Sequence, residues 1–176
     1  MPQREWPRMD AFPSIGDMVV RTLVAVLGAA ALGWERERRG KPAGLRTQMM
    51  VGLGSAVFTM VTLKFYQATI EAGEAGQVDP LRVVQGVIIG IGFLGAGTIV
   101  HARGSVKGLT TAATIWVVGA FGIACGLGYY FLAGVSVFFA LIVLIAMGLL
   151  ERRLIKQEEA ENQREPIEAD GSRPTA

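Results

Sequence analysis

Five stretches of this chain are apolar for close to twenty residues each, and no other feature restricts the fold as strongly. They are Met18–Trp34, Thr47–Leu63, Val83–Val100, Leu109–Leu127 and Tyr129–Leu150. About 20 residues of helix cover the ~30 Å hydrocarbon core of a bilayer. No water reaches that core, so each stretch must satisfy its backbone within itself and is expected to be helical. The fold class that follows is all-α: a polytopic membrane protein with five transmembrane helices over residues 17–150. Residues 1–16 form a short irregular leader and 151–176 a polar tail. Charged residues make up only 18% of the chain, below the quarter usual for soluble domains, which agrees with the bilayer. Arg21 and Lys64 stand near span ends, where long side chains reach the interface.

Composition also removes several functions. A single Cys125 and a single His101 leave no material for a disulfide framework or a zinc site of several Cys and His ligands. A net charge of +2, scattered along the chain, gives no nucleic-acid footprint. The sequence Gly90-Ile91-Gly92-Phe93-Leu94-Gly95 fits GxGxxG, yet no Asp or Glu follows between Leu109 and Leu127, so the dinucleotide reading fails for want of context. No cofactor is expected. Signal-peptide cleavage after Ala29–Ala31 is not expected either, because the cluster Arg36, Arg38, Arg39 and Lys41 follows the first apolar run instead of preceding it.

Lys and Arg are distributed unevenly among the connections. Five lie in 35–46, two in 101–108 and five in 151–176, against only Lys64 and Arg82 in 64–82. The positive-inside rule then expects the N-terminus outside and the C-terminus inside. A shift of 64 residues pairs Gly28 with Gly92, Gly33 with Gly97, Arg39 with Arg103 and Gly40 with Gly104. The same shift pairs Gly44 with Gly108, Leu45 with Leu109, Thr47 with Thr111 and Ala56 with Ala120. Helices one-two and three-four therefore read as a duplicated helical hairpin with a fifth helix added. Gly86, Gly90, Gly92, Gly95 and Gly97 in the third span, and Gly122 and Gly126 in the fourth, are the expected helix-packing surfaces, which makes spans three and four the tight centre. The same stripes would serve a homo-oligomer.

Several of these residues carry a resemblance. They are Glu35-Arg36-Glu37, then Lys41-Pro42-Ala43-Gly44-Leu45-Arg46-Thr47, Asp79-Pro80 with Arg82, Gly90 through Ile99, and Gly108-Leu109-Thr110-Thr111-Ala112-Ala113 with Trp116. In this order they resemble the MgtC/SapB family of bacterial inner-membrane proteins over about residues 16–150. Only 26 residues follow Leu150, where MgtC-like members carry an ACT-like domain, so the chain is similar to the shorter members. The resemblance implies a non-enzymatic inner-membrane protein active in adaptation to magnesium limitation and in virulence. It also implies regulation of membrane energetics, with the F-type ATP synthase as partner alongside the lipid bilayer. A passive ion channel or carrier is the alternative.

The candidate functional residues are Glu35, Glu37, Gly44, Arg46, Thr47, Asp79, Arg82, Gly108, Thr110, Thr111 and Trp116. Glu35 and Glu37 suit either an ion or partner site or an ion-pair cluster, with Arg46 as the expected partner in the second case. Asp79 before Pro80 is placed to cap the third helix. It could also join Glu71 or Glu74 in binding Mg²⁺, although that spacing is unspecific. Thr59, Thr98, Thr114 and Ser136 suit either a polar path or bonds to backbone.

Overall fold

The computed structural model describes residues 13–73, 79–102 and 105–162. Five helices account for nearly all of it: α1 (Ile15–Arg38), α2 (Leu45–Glu71), α3 (Pro80–Ala96), α4 (Leu109–Leu127) and α5 (Tyr130–Asn162). Between α3 and α4 lies a hairpin of β1 (Val100–Ala102) and β2 (Ser105–Lys107), antiparallel, with His101 opposite Val106. Residues up to Ala140 form one compact unit, and Leu141 onward forms a second, helical to Asn162.

Local chemistry sets the helix ends. Ser14 and Asp17 form a reciprocal capping box on α1: Asp17 N–H donates to Ser14 Oγ (3.1 Å), and Ser14 N–H donates to Asp17 Oδ2 (3.0 Å). Residues 14–16, expected in the leader, thus belong to the cap and first turn of α1, and the rest of that leader lies largely outside the described residues. Asp79 Oδ1 accepts from Leu81 N–H at 2.9 Å with Pro80 opening α3, the capping role read from the sequence. The third apolar run stops being helical at Ala96, four residues early. Gly97 caps the helix, and the chain then turns through Thr98 and Ile99 into β1, where Val100 is an exposed strand residue. The β-branched Val100 and Val106 favour that pleated surface.

Four helices, α1, α2, α4 and α5 (Tyr130–Leu150), are long and apolar enough to span a bilayer. The 17 residues of α3 rise only about 25 Å at 1.5 Å each, short of the ~30 Å hydrocarbon core. GxGxxG lies wholly inside α3 with no strand before it, which disposes of the dinucleotide reading.

Within the first unit α2 and α4 pack on each other, and α1 and α3 each pack on both. This pattern is unchanged when α1 and α2 are exchanged with α3 and α4. Gly44 and Gly108, 64 residues apart, are the N-cap residues of α2 and α4. Both facts are what a duplicated hairpin produces.

The glycines correct the expected centre. A Cβ on Gly122 would stand 2.6 Å from the Gly52 carbonyl oxygen and 2.6 Å from Ser55 Cβ. One on Gly126 would stand 2.7 Å from the Ala56 carbonyl oxygen and 2.7 Å from Thr59 Cβ. One on Gly52 would meet Ala29 Cβ at 2.8 Å. The tight seam is therefore α2 against α4, with α1 beside it. In α3, Gly86, Gly90 and Gly92 face open space, and Gly97 meets only carbonyls of its own helix. Gly95 alone touches α4, at the Ala112 backbone (3.3 Å). Gly86 and Gly90 line a cleft instead of meeting a neighbouring helix.

Polar side chains on α2, α4 and α5, and just after α3, satisfy themselves. Thr59, Thr114 and Ser136 donate to the carbonyl four residues back, and Thr98 to the one three back, at 2.7–2.8 Å. Of the two readings for these hydroxyls, the structure has the backbone bonds. Arg21 is half-buried, and its Nη1 donates to the Gly126 carbonyl at the C-terminal end of α4 (2.6 Å). Unpaired carbonyls and the negative end of the helix dipole draw a guanidinium there. Cys125 is fully buried.

Candidate functional site at the basic end of the bundle

The C-terminal turn of α1 meets the N-terminal turns of α2 and α4, and most of the motif residues gather there. The connection from α1 to α2 is tight. A Cβ on Gly33 would stand 2.7 Å from Leu45 Cα, so α2 starts against the α1 backbone. Ala43 takes a left-handed φ of 53° to make the turn. Gly44 has no side chain to cap α2, and Glu37 does so instead: its Oε2 accepts from Leu45 N–H at 2.8 Å. A carboxylate at a helix N-terminus is favoured by both the free N–H groups and the dipole. A Cβ on Gly44 would press on that same Oε2, at 2.8 Å, which gives the glycine a steric reason.

Glu35 pairs with Arg39, one turn along α1, at 2.5 Å. Arg46 is exposed and makes no ion pair among the described residues, so the pairing of Arg46 with Glu35 or Glu37 is not found. Arg39 occupies Glu35, and the backbone of α2 occupies Glu37.

Between these two carboxylates lies Arg36, 4% exposed. Its Nη2 donates to Thr111 Oγ1 on α4 at 2.6 Å, and its Nε has no hydrogen-bond partner among the described residues. Gln48, fully buried, donates from Nε2 to the Ala43 carbonyl at 3.1 Å, while its Oε1 and Glu35 Oε2 have no such partner. Sequence reading met Arg36 among the basic cluster and in the motif Glu35-Arg36-Glu37 without giving it a role, and passed over Gln48. The available signal was periodicity: Arg36 continues the stripe Ala25, Ala29, Leu32 that α1 buries.

Of the other candidates, Thr47, Thr110 and Trp116 are exposed and Thr111 is buried. Gly108 has φ +94°, and a Cβ there would overlap the Thr98 carbonyl oxygen, so α4 starts against the end of α3 as α2 does against α1. Asp79 and Arg82 lie at the opposite end of α3 and join none of this. Glu71 is exposed, and Glu74, Arg103 and residues 163–176 lie outside the described residues. No group of three His, Cys, Asp or Glu suited to a metal occurs among the described residues.

The helices and their buried polar end define a multi-pass α-helical membrane protein. The chain belongs to the MgtC family, whose profile matches residues 22–153, and its place is the bacterial inner membrane. It is 42% identical over 140 residues to the protein SrpB of Synechococcus elongatus, covering 75% of each chain. It is 38% identical over 141 residues to YhiD of Escherichia coli strain K12, whose name assigns it provisionally to magnesium transport, covering 80% of this chain and 65% of that one. To the protein MgtC of Salmonella typhimurium strain LT2 it is 38% identical over 123 residues, 70% of this chain and 47% of the relative. The chain thus spans from about half to three quarters of these relatives. No solved structure matches it.

Proposed function

We propose that the protein is a non-enzymatic regulator of membrane energetics in magnesium limitation, acting on a membrane partner such as the F-type ATP synthase. The observation that carries this reading is the closed α2–α4 seam. Backbone lies on backbone at Gly52–Gly122 and Ala56–Gly126, and the hydroxyls beside it bond to their own helices, which leaves no polar lining for a permeating ion. Family membership supplies the physiological setting. We place the functional surface at the basic end, where Glu37, Arg46 and Thr110 are exposed.

The test uses inverted membrane vesicles from cells with and without the chain, together with the purified protein in liposomes. The expected result is reduced ATP-driven proton pumping in the vesicles and no Mg²⁺ flux in the liposomes. Mg²⁺ flux in liposomes would establish instead the second reading, a passive carrier, which the magnesium-transport name of YhiD favours.

Orientation follows from the same charge pattern: the basic end faces the cytoplasm, with five Lys or Arg in 35–46. In a Cys125→Ala background, Gly40→Cys should be shielded from an impermeant thiol reagent in intact cells and Gly76→Cys should react. Labelling at position 40 from outside would invert the topology.

A further inference from the structure

The two halves of the bundle are alike in plan and unequal in closure. On one side α1 lies against α4, held by the Arg36–Thr111 hydrogen bond and by the Phe121 ring, which occupies the space a Cβ on Gly28 would need. The 64-residue shift maps this seam onto α3 against α2. There the counterpart of Arg36 is Val100 and the counterpart of Phe121 is Val57, so both fastenings are missing. What remains is an open apolar cleft of about 640 Å³ between α2 and α3, lined by Thr47, Met50, Gly54, Phe58, Gly86 and Gly90 among others. A Cβ on Gly54, Gly86 or Gly90 would meet nothing within 4 Å.

At one end the cleft reaches Thr47, in the first turn of α2. At its Thr47 end, Arg46 is exposed with no ion pair among the described residues. The N–H groups of Arg46 and Thr47 fall in the first turn of α2, where a helix offers them no acceptor, and Gly44 supplies no side-chain cap. Only the Leu45 N–H is taken, by Glu37. A cation, a hydroxyl and a helix N-terminus thus meet at the mouth of an apolar trough, the complement of a molecule with an anionic head and a hydrocarbon tail.

We propose that the α2–α3 cleft binds one phospholipid, an acyl chain lying along Gly54, Gly86 and Gly90 and the phosphate resting on Arg46 and Thr47. Chemistry favours a lipid over a helix of a second copy: the cleft ends beside the free N–H groups of α2 and the exposed Arg46, which an anionic headgroup satisfies and an apolar helix does not.

The protein purified in mild detergent is titrated with dioleoyl phosphatidylglycerol and examined by native mass spectrometry. The wild type should retain one lipid per chain. Gly54→Phe and Gly90→Phe, which place a ring where nothing stands, should each lower occupancy at least tenfold while the helical content and melting temperature hold. Should one of them fail to fold, the other carries the test. Arg46→Gln should weaken retention several-fold, and Arg82→Gln, at the other end of α3, should leave it unchanged. Absence of retained lipid in the wild type would overturn the proposal, as would equal retention in all variants, loss on Arg82→Gln in place of Arg46→Gln, or dissociation of a dimer by the ring-filling variants. Lipid retention is read on purified protein, so failure of the regulatory reading leaves it untouched.

Discussion

Gly126→Leu should abolish the yield of folded protein, and Gly122→Leu should do nearly the same, whereas Gly90→Leu should leave yield and melting temperature at wild-type values. At positions 122 and 126 the obstruction is a carbonyl oxygen of α2, at 2.6 and 2.7 Å from the first added atom, and backbone cannot rotate aside as a side chain can. Relief requires moving α4 off α2, and with it the partners that α2 and α4 share with α1. Overpacking ordinarily costs about 1–3 kcal/mol, and an obstruction by backbone falls at or beyond the upper end of that range, a large part of an ordinary stability margin of ~5–15 kcal/mol. At Gly90 there is no obstruction. Leucine is also the better helix former by about 0.5–1 kcal/mol. Fluorescence-detected gel filtration and thermal melting of the three variants check the ranking, and loss of folded protein in Gly90→Leu with tolerance at 126 would return the centre to α3.

The second large effect belongs to Arg36 and Thr111. Thr111→Val keeps the volume and removes the only acceptor for the buried guanidinium among the described residues, which leaves a charge without its hydrogen bond. Bonds to charged groups contribute about 1.5–3 kcal/mol, and a stranded buried charge costs about 3–5 kcal/mol. Thr111→Val is therefore expected to lower stability by about 3 kcal/mol. Arg36→Met removes charge and acceptor demand together and should cost less. Combined, the two substitutions should cost less than their sum, since the charge that Thr111→Val strands is no longer present. A double-mutant cycle on melting temperature reads the coupling. Strict additivity would show that the bond does not hold α1 to α4.

Much of this architecture was legible in the sequence because lipid enforces a simple code. Apolar length sets the helices, and the Asp79-Pro80 pair announces a cap whose geometry leaves few alternatives. The correspondence of Gly44 with Gly108 was legible too: both are N-caps, Gly108 set against the Thr98 carbonyl and Gly44 against the Glu37 carboxylate. Which glycines face a neighbour was not legible. Gly90 and Gly126 are chemically identical, and only the third dimension distinguishes a notch that another helix fills from one beside a cleft. Third-helix length was misread because Thr98, Ile99 and Val100 are as apolar in a β-turn and strand as in a helix. At the candidate site, Glu35 and Arg46 looked complementary by charge and proximity, yet Arg39 lies one turn from Glu35 on the same helix, and a local partner precedes a distant one. Arg36 was hidden by the habit of assigning a cation in a basic cluster to solvent.

The seam between α2 and α4 has a consequence for the conditions such a protein must survive. Because each hydroxyl beside it is satisfied by its own helix, cohesion there comes from van der Waals contact between backbones, and contact of that kind does not respond to ionic strength, divalent cations or pH. The centre of the bundle is thereby insulated from the ionic composition of its surroundings, while Glu37 and Arg46, exposed at the basic end, meet it directly. A regulator of the kind proposed above needs both halves of that division: a rim open to the change, and a frame that keeps its shape while the change occurs.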